Sequence, residues 1–343
     1  MTPARHPALD GHQAALRSIA RVVDETAPLQ DPETASRGLL RLLEETRPLV
    51  ITGAGVSTDS GIPDYRGPNG SLHRHRPMTY QEFRDDPAAR HRYWARSFVG
   101  WRRMDQARPN AAHRILAGWA ARGLVSGILT QNVDGLHAQA AAEAGAPEDR
   151  LIELHGDLAR VVCLHCGATE SRRDLDVRLE AANLGYLERV SIDPEAVNPD
   201  GDVTLDRHWV DEFAMVGCLR CGSVELKPDV VYFGESVPVA RREAAEAMAD
   251  DGGAVLAVGT SLAVMSGYRF VLRAERAGKD TGLINLGPTR ADPKASWRWR
   301  APVADALAWL DSRLRPGTFV RETGGFGGAF VRETGGCPLR KVA

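Results

Sequence analysis

Four cysteines are spaced for a metal. Cys163-Leu164-His165-Cys166 and Cys218-Leu219-Arg220-Cys221 form two C-x2-C pairs. Each is followed by a glycine, Gly167 or Gly222, which permits the tight turn that aims two thiolates at one point. Four thiolates make a closed tetrahedral set suited to structural Zn²⁺, with no position left open for catalysis. Residues 167–217 separate the pairs, so an insertion lies between the two knuckles. A redox C-x-x-C centre is the alternative for either pair taken alone. Cys337 stands apart and reads as an exposed, idle thiol.

The second chemical signal is PLVITGAGVSTDSGIPDYR, residues 48–66. An apolar run breaks into Gly53-Ala54-Gly55, where missing side chains let backbone amides approach a pyrophosphate and Ser57 can add a hydroxyl donor. A dinucleotide fingerprint would put a third small residue at position 58, but Thr58 stands there and the next glycine is Gly61. The chain therefore continues as a loop that presents Asp64, Tyr65 and Arg66. Hydride transfer has no evident need for such a group. An enzyme that breaks the nicotinamide–ribose bond could use it, because it must bury the nicotinamide and hold the ribose. A polar surface loop is the plainer reading.

These residues need a scaffold, and the sequence supplies one. SRGLLRLLEETR (36–47) has the period of an amphipathic helix and leads into the run at 48–52. Three further apolar runs end in polar loops. GLVSGIL (123–129) ends in Thr130-Gln131-Asn132-Val133-Asp134-Gly135-Leu136-His137, GAVLAV (253–258) in Gly259-Thr260-Ser261, and GLIN (282–285) in Leu286-Gly287-Pro288-Thr289. Helical patterns such as Ala111–Ala121 and Arg241–Ala249 lie between them. Alternating strands and helices predict an α/β, Rossmann-like parallel sheet with helices on both faces, whose strand carboxyl ends form the ligand crevice. Residues 67–108 read as a helical insertion and 161–226 as a small zinc-binding module. The sheet then takes about 36–66, 109–160 and 227–315. Residues 1–35 read as a leading helical extension. The tail 316–343, with FVRETGG at 319–325 and again at 330–336, reads as disordered.

Composition narrows the class. At 343 residues, 43% hydrophobic and 26% charged, the chain can bury a sizeable core. Lys+Arg 43 against Asp+Glu 45 gives −2, so no global charge favours nucleic acid or an anionic membrane. No run has the length of a transmembrane helix. The N-terminus lacks the apolar core of a signal peptide, and Asp10 and Asp24 speak against a transit peptide. A cytoplasmic enzyme is expected, with the mitochondrial matrix left open. A dehydrogenase is a rival reading, but it has no use for the knuckles. A zinc-ribbon nucleic-acid module would want a basic face, and the knuckle region is acidic.

The chain resembles the sirtuins, NAD-dependent protein deacylases, from about residue 36 to about 310. The motifs are GAGVSTDSGIPDYR, TQNVDGLH, LHGD, the two C-x2-C pairs, KPDVVYFGE, GTSLAV and NLGPT. RYWARSFVGW, PDGDV and SGYRF resemble the class II, sirtuin-four-like branch. The resemblance implies that His155 is the catalytic base, acting on the ribose hydroxyls after the acyl-lysine oxygen has attacked the ribose and nicotinamide has left. The products are then O-acyl-ADP-ribose and free lysine. Imidazole suits that work because its ordinary pKa lies near neutrality. A core or capping histidine is the alternative for His155. His137 is the rival candidate, expected to be packed.

By the same resemblance Asn132 and Asp134 orient a water and the nicotinamide amide or ribose, while Gln131 holds that ribose. Gly259, Thr260 and Ser261 bind phosphate and the adenosine ribose, and Asn285 lies on the adenosine side. The NAD contacts extend to Ala54, Val133, Leu286, Gly287 and Ala301. Residues 227–235, with Val231, Tyr232, Phe233, Gly234 and Glu235, offer backbone to an extended acyl-lysine substrate as an added strand. Sirtuins that remove succinyl or malonyl groups carry Tyr-x-x-Arg, and Tyr93-Trp94-Ala95-Arg96 matches it on one helix face. An acidic acyl preference is then expected. In the other reading Tyr93 packs its ring and Arg96 reaches water. Lipoyl removal and mono-ADP-ribosyl transfer remain alternatives within the family.

Overall fold

The computed structural model describes residues 7–67, 70–73, 76–190 and 197–314. The repeated tail and Cys337 lie outside them. Six strands build one parallel sheet: β1 (Leu49–Thr52), β2 (Gly127–Thr130), β3 (Leu151–Glu153), β7 (Val255–Val258), β8 (Thr281–Ile284) and β9 (Trp297–Trp299). Their spatial order is β3-β2-β1-β7-β8-β9. The four central strands are buried at every position, which explains their unbroken apolar character. The order runs outward in both directions from the β1–β7 pair, so the switch point, where such sheets bind ligands, falls there.

One face is covered by α2 (Pro32–Glu45), α5 (Ala111–Ala121) and α12 (Val303–Asp311), whose Leu39, Leu43, Leu116, Trp119 and Leu307 share a core with Val50 and Ile128. The N-cap carboxylate of Asp31 accepts from Thr34 N at 2.8 Å and starts α2. Gly38 of that helix sits under the Trp297 ring, which a Cβ would meet at 1.9 Å. The other face is covered by α10 (Val239–Asp251) and α11 (Met265–Arg276), through Ala245, Met248, Phe270 and Val271. Helix α6 (Leu136–Ala144) packs beside α5.

The second domain is an antiparallel sheet, β5-β4-β6, made of β4 (Gly156–Cys163), β5 (Thr169–Ser171) and β6 (Leu226–Val230). It therefore begins earlier and ends later than the 161–226 expected from the cysteines, because the strands carrying both knuckles run on beyond them. Helix α3 (Tyr80–Asp85) and the long α4 (Pro87–Gln106) of the insertion pack with α7 (Arg172–Ala182), α8 (Tyr186–Arg189) and α9 (Arg207–Glu212). Trp94, Phe98, Leu175, Tyr186 and Phe213 form their common core with Cys163 and Cys218. Insertion and zinc module are thus one packed body. Buried Arg172 lies over the rings of Trp94 and Trp101, 5.1 and 5.2 Å from their centres, and donates to Ser97 O at 3.1 Å. Ahead of the sheet, α1 (Pro7–Ile19) lies against α3. Among the described residues no helix is long and apolar enough to cross a membrane.

Candidate active site

The ends of β1 and β7 are in backbone contact. Gly55 N donates to Gly259 O at 2.9 Å, and a Cβ on Gly55 would sit 2.9 Å from that oxygen. Gly259 itself has φ +59°, a left-handed conformation that glycine adopts without strain. Both loops open onto a cavity of about 1210 Å³ between the two domains. Gly53, Ala54, Gly55, Ser57, Asp64, Tyr65 and Arg66 line it, with Gln131, Asn132, Val133 and Asp134 from the loop after β2. Gly259, Thr260, Ser261, Asn285, Leu286 and Gly287 line it as well, with His155, Tyr93 and Val231–Glu235. Ala301 falls outside the lining, which passes to Pro302 and Val303.

His155 stands on the loop between β3 and β4. Its Nδ1 lies 2.9 Å from Gln131 O, a carbonyl that can only accept, so Nδ1 carries the proton. In the neutral ring Nε2 then holds a lone pair and accepts from the Ser266 hydroxyl at 2.7 Å. Burial pushes this imidazole down to about 4, against the partial support of Gln131 O. The outcome is a neutral imidazole in the cavity lining, its Nε2 lone pair engaged by the Ser266 hydroxyl. Ser266, at the start of α11, is a site residue that sequence reasoning did not single out, although the SGYRF motif contains it.

Polar groups opposite are fixed by one another. Asn132 Nδ2 donates to Gly53 O at 3.1 Å and to Ser57 Oγ at 3.0 Å, and Ser57 donates to Asp134 at 2.7 Å. Burial raises the Asp134 carboxyl, offset by the hydrogen bond from Ser57. Thr260 donates to Gln131 Oε1 at 2.9 Å, tying the β2 loop to the β7 loop. His137 lies behind this layer, 2% exposed, with Nε2 2.9 Å from Thr52 Oγ1, and its ring is 4.7 Å from that of His113. It packs and does not face the cavity.

Those two histidines make a testable statement about pH. Burial holds His113 down to about 4 and His137 well below its ordinary value. The unfolded chain takes up these protons near pH ~6.5, whereas the folded chain excludes them further down. Stability is therefore fully present above about 6.5 and falls with acidification, by up to about 3 kcal/mol for a group such as His113. Urea midpoints taken with zinc saturating, from pH 7 downwards, should fall steadily; a flat profile would contradict the burial.

The four paired thiols converge. Cys163 Sγ lies 3.7 Å from Cys221 Sγ and Cys166 Sγ 3.7 Å from Cys218 Sγ, and all four fall within 4.8 Å of one another. Zn–S bonds of 2.3 Å in a tetrahedron set sulfurs about 3.8 Å apart, so the set fits zinc. Gly167 and Gly222, at φ +70° and +74°, turn the knuckles as the spacing predicted.

Tyr93 and Arg96 separate. Tyr93 is buried among Phe83, Trp94 and Tyr232 and reaches the cavity wall. Arg96 does not line the cavity. Its guanidinium pairs with Asp202 at 3.0 Å and donates to Val203 O, both on the insertion between the knuckles. The arginine is thus largely withdrawn from water and takes no part in the cavity wall that Tyr93 joins. The loop that holds it, through Pro199 and Asp200, supplies cavity wall instead.

The sequence model of the Sir2 family matches residues 53–266. The NAD-dependent protein deacetylase 1 of Corynebacterium efficiens is 58% identical over 273 residues, 80% of this chain and 95% of that protein. Its Streptomyces coelicolor namesake is 50% identical over 266 residues, 78% of this chain and 85% of that one. A solved Sir2 structure with a deacetylated p53 peptide and 3'-O-acetyl ADP ribose superposes with TM-score 0.62 at 27% identity, covering 82% of this chain and 98% of that one. The chain belongs to the Sir2 family.

Proposed function

We propose that this protein removes acyl groups from protein lysines at the expense of NAD, releasing nicotinamide and O-acyl-ADP-ribose. The observation that carries the reading is a neutral His155, its Nε2 hydrogen-bonded to Ser266, in the lining of a cavity that the Gly53–Ser57 turn also lines. Bound NAD supplies an electrophilic ribose carbon with nicotinamide as leaving group. The chain's part is to cradle the pyrophosphate on backbone at Gly53–Gly55 and Gly259–Ser261, and to hold Gln131, Asn132 and Asp134 against the nicotinamide riboside. His155 takes a proton from a ribose hydroxyl at Nε2. The substrate lies extended along Val231–Glu235. The partners are acyl-lysine proteins of the cytoplasm, with no direct role for nucleic acid or membrane. The class II branch remains our reading of RYWARSFVGW, PDGDV and SGYRF.

The acyl preference is read from Arg96. With its guanidinium committed to Asp202, the acyl end offers phenol rings (Tyr65, Tyr93 and Tyr232) and Met78. A carboxylate carried among these rings leaves water, and the ammonium nearest them, Lys227 at 5.1 Å from the Tyr232 ring centre, is already paired with Glu235. Acetyl-lysine is expected to exceed succinyl- and glutaryl-lysine at least about tenfold in kcat/KM, a difference of ~1.4 kcal/mol. Three versions of one peptide, with NAD and mass-spectrometric detection, measure it. A preference for the acidic acyls would overturn the assignment of Arg96.

A further inference from the structure

The N-terminal segment runs along the lip of the cavity and contributes to its wall. Ala14, Arg17, Ser18 and Ile19 of α1, with residues 20–23 after it, line the cavity although they lie far in sequence from every nucleotide motif. The attachment has several points. His12 meets Thr79 Oγ1 at 3.0 Å, and Ala15 fills the space where a Gly234 side chain would stand. Arg66 donates to Ser18 O at 3.2 Å and to Arg21 O at 3.4 Å. Further on, Glu25 pairs with Arg300 at 2.8 Å, and Gln30 Oε1 accepts from Arg298 N at 2.7 Å. The segment thus spans from the substrate strand to the adenosine end.

Its charge is the informative part. Arg17, Arg21, Arg66 and Arg290 line the one cavity, and among the described residues none of them pairs with a carboxylate. Arg66 and Arg290 each feel the charge of Arg21, after burial, as a pull downward on their own protonation. Arg290 is held by stacking on Tyr268, 4.3 Å from the ring centre, and its backbone N–H donates to Ser261 O at 2.9 Å. That places it beside the Gly259–Ser261 turn. Neighbouring guanidinium groups repel one another, and a diphosphate entering between them removes that repulsion.

We propose that Ala14–Val23 is a wall of the dinucleotide site and that Arg21, with Arg66 and Arg290, binds the diphosphate of the ADP-ribose moiety. The inference rests on NAD being the cosubstrate. It adds a binding residue from outside the matched family segment.

The test uses the full chain and its Arg21→Gln and Arg21→Lys variants. Calorimetry gives the Kd for ADP-ribose, and initial rates with an acetylated peptide give KM for NAD, KM for peptide and kcat. Arg21→Gln should raise Kd for ADP-ribose and KM for NAD about tenfold, the size of one charge-assisted contact. It should leave kcat, peptide KM and Tm unchanged, because this exposed side chain makes no hydrogen bond or ion pair among the described residues. Arg21→Lys should retain most of the affinity, and raising the salt should narrow the gap between wild type and Arg21→Gln. In an active enzyme, an unchanged Kd in Arg21→Gln overturns this inference alone. So does a lowered peptide KM, which would make the segment an obstacle to substrate instead of a wall. A wild type that binds ADP-ribose through Arg21 yet releases no nicotinamide with acyl peptides supports the wall and overturns the deacylation reading.

Discussion

Removing zinc is expected to dissolve the second domain rather than trim its edge. Cys163 and Cys218 are 1% and 7% exposed and share their core with Trp94, Phe98, Leu175 and Tyr186, so the metal knots the middle of that domain. Structural zinc supplies an apparent ~10–16 kcal/mol in small zinc-finger peptides, which rivals the ~5–15 kcal/mol that holds a whole domain folded. The backbone N–H groups of Arg220 and Cys221 lower the Cys218 thiol, which favours the thiolate form that a metal takes. Chelation, or Cys218→Ala, should abolish amide-exchange protection through β4 and α7 while β1, β7 and β8 stay protected. Activity should vanish in step, because Tyr93 and Tyr232 pack on the same core. A fully protected, active chain with no zinc by elemental analysis would refute the reading.

The second large effect belongs to His155. General base catalysis contributes on the order of 10²–10⁴-fold, and His155→Ala should cost that much in kcat while ADP-ribose still binds. The turns at Gly55 and Gly259 that cradle it are built without this side chain. A pH profile sharpens the test. With the imidazole held down to about 4, kcat/KM for NAD should stay level well below the ordinary histidine range before it declines. Loss of zinc or of thermal stability in the variant, with kcat unchanged, would remove His155 from the chemistry.

Much of this site could be read from the chain because its parts lie at strand ends that are themselves legible. LVIT, VLAV and TGLI are mainly apolar runs, the pattern that central parallel strands covered on both faces favour. Helix Ala111–Ala121 keeps its expected bounds, and α2 and α10 start two to four residues earlier than expected, at Pro32 and Val239. The three-residue edge strands were not legible. Leu151–Glu153 and Trp297–Trp299 are half-buried and carry Glu153 and Arg298, so no pattern marks them. Arg96 fails for a different reason. Helix spacing sets which face a side chain takes, but its partner Asp202 arrives from a turn more than a hundred residues later, where Gly201 packs against Met104. Ser266 is invisible for want of context, since a hydroxyl at a helix start reads first as a cap.

His155 sits at a seam. Strand β3 ends at Glu153 in one sheet and β4 begins at Gly156 in the other, so the imidazole rides on the short length of chain that passes between the domains. The return passage, just after β6, is stapled to it, since Val231 N donates to His155 O at 2.7 Å. A side chain of residue 156 would strike Asp229 O at 1.9 Å, which leaves the two passages no slack. In mechanical terms the imidazole is mounted at a joint of the two bodies, so any rotation about that joint would displace it less than the rim of the cleft.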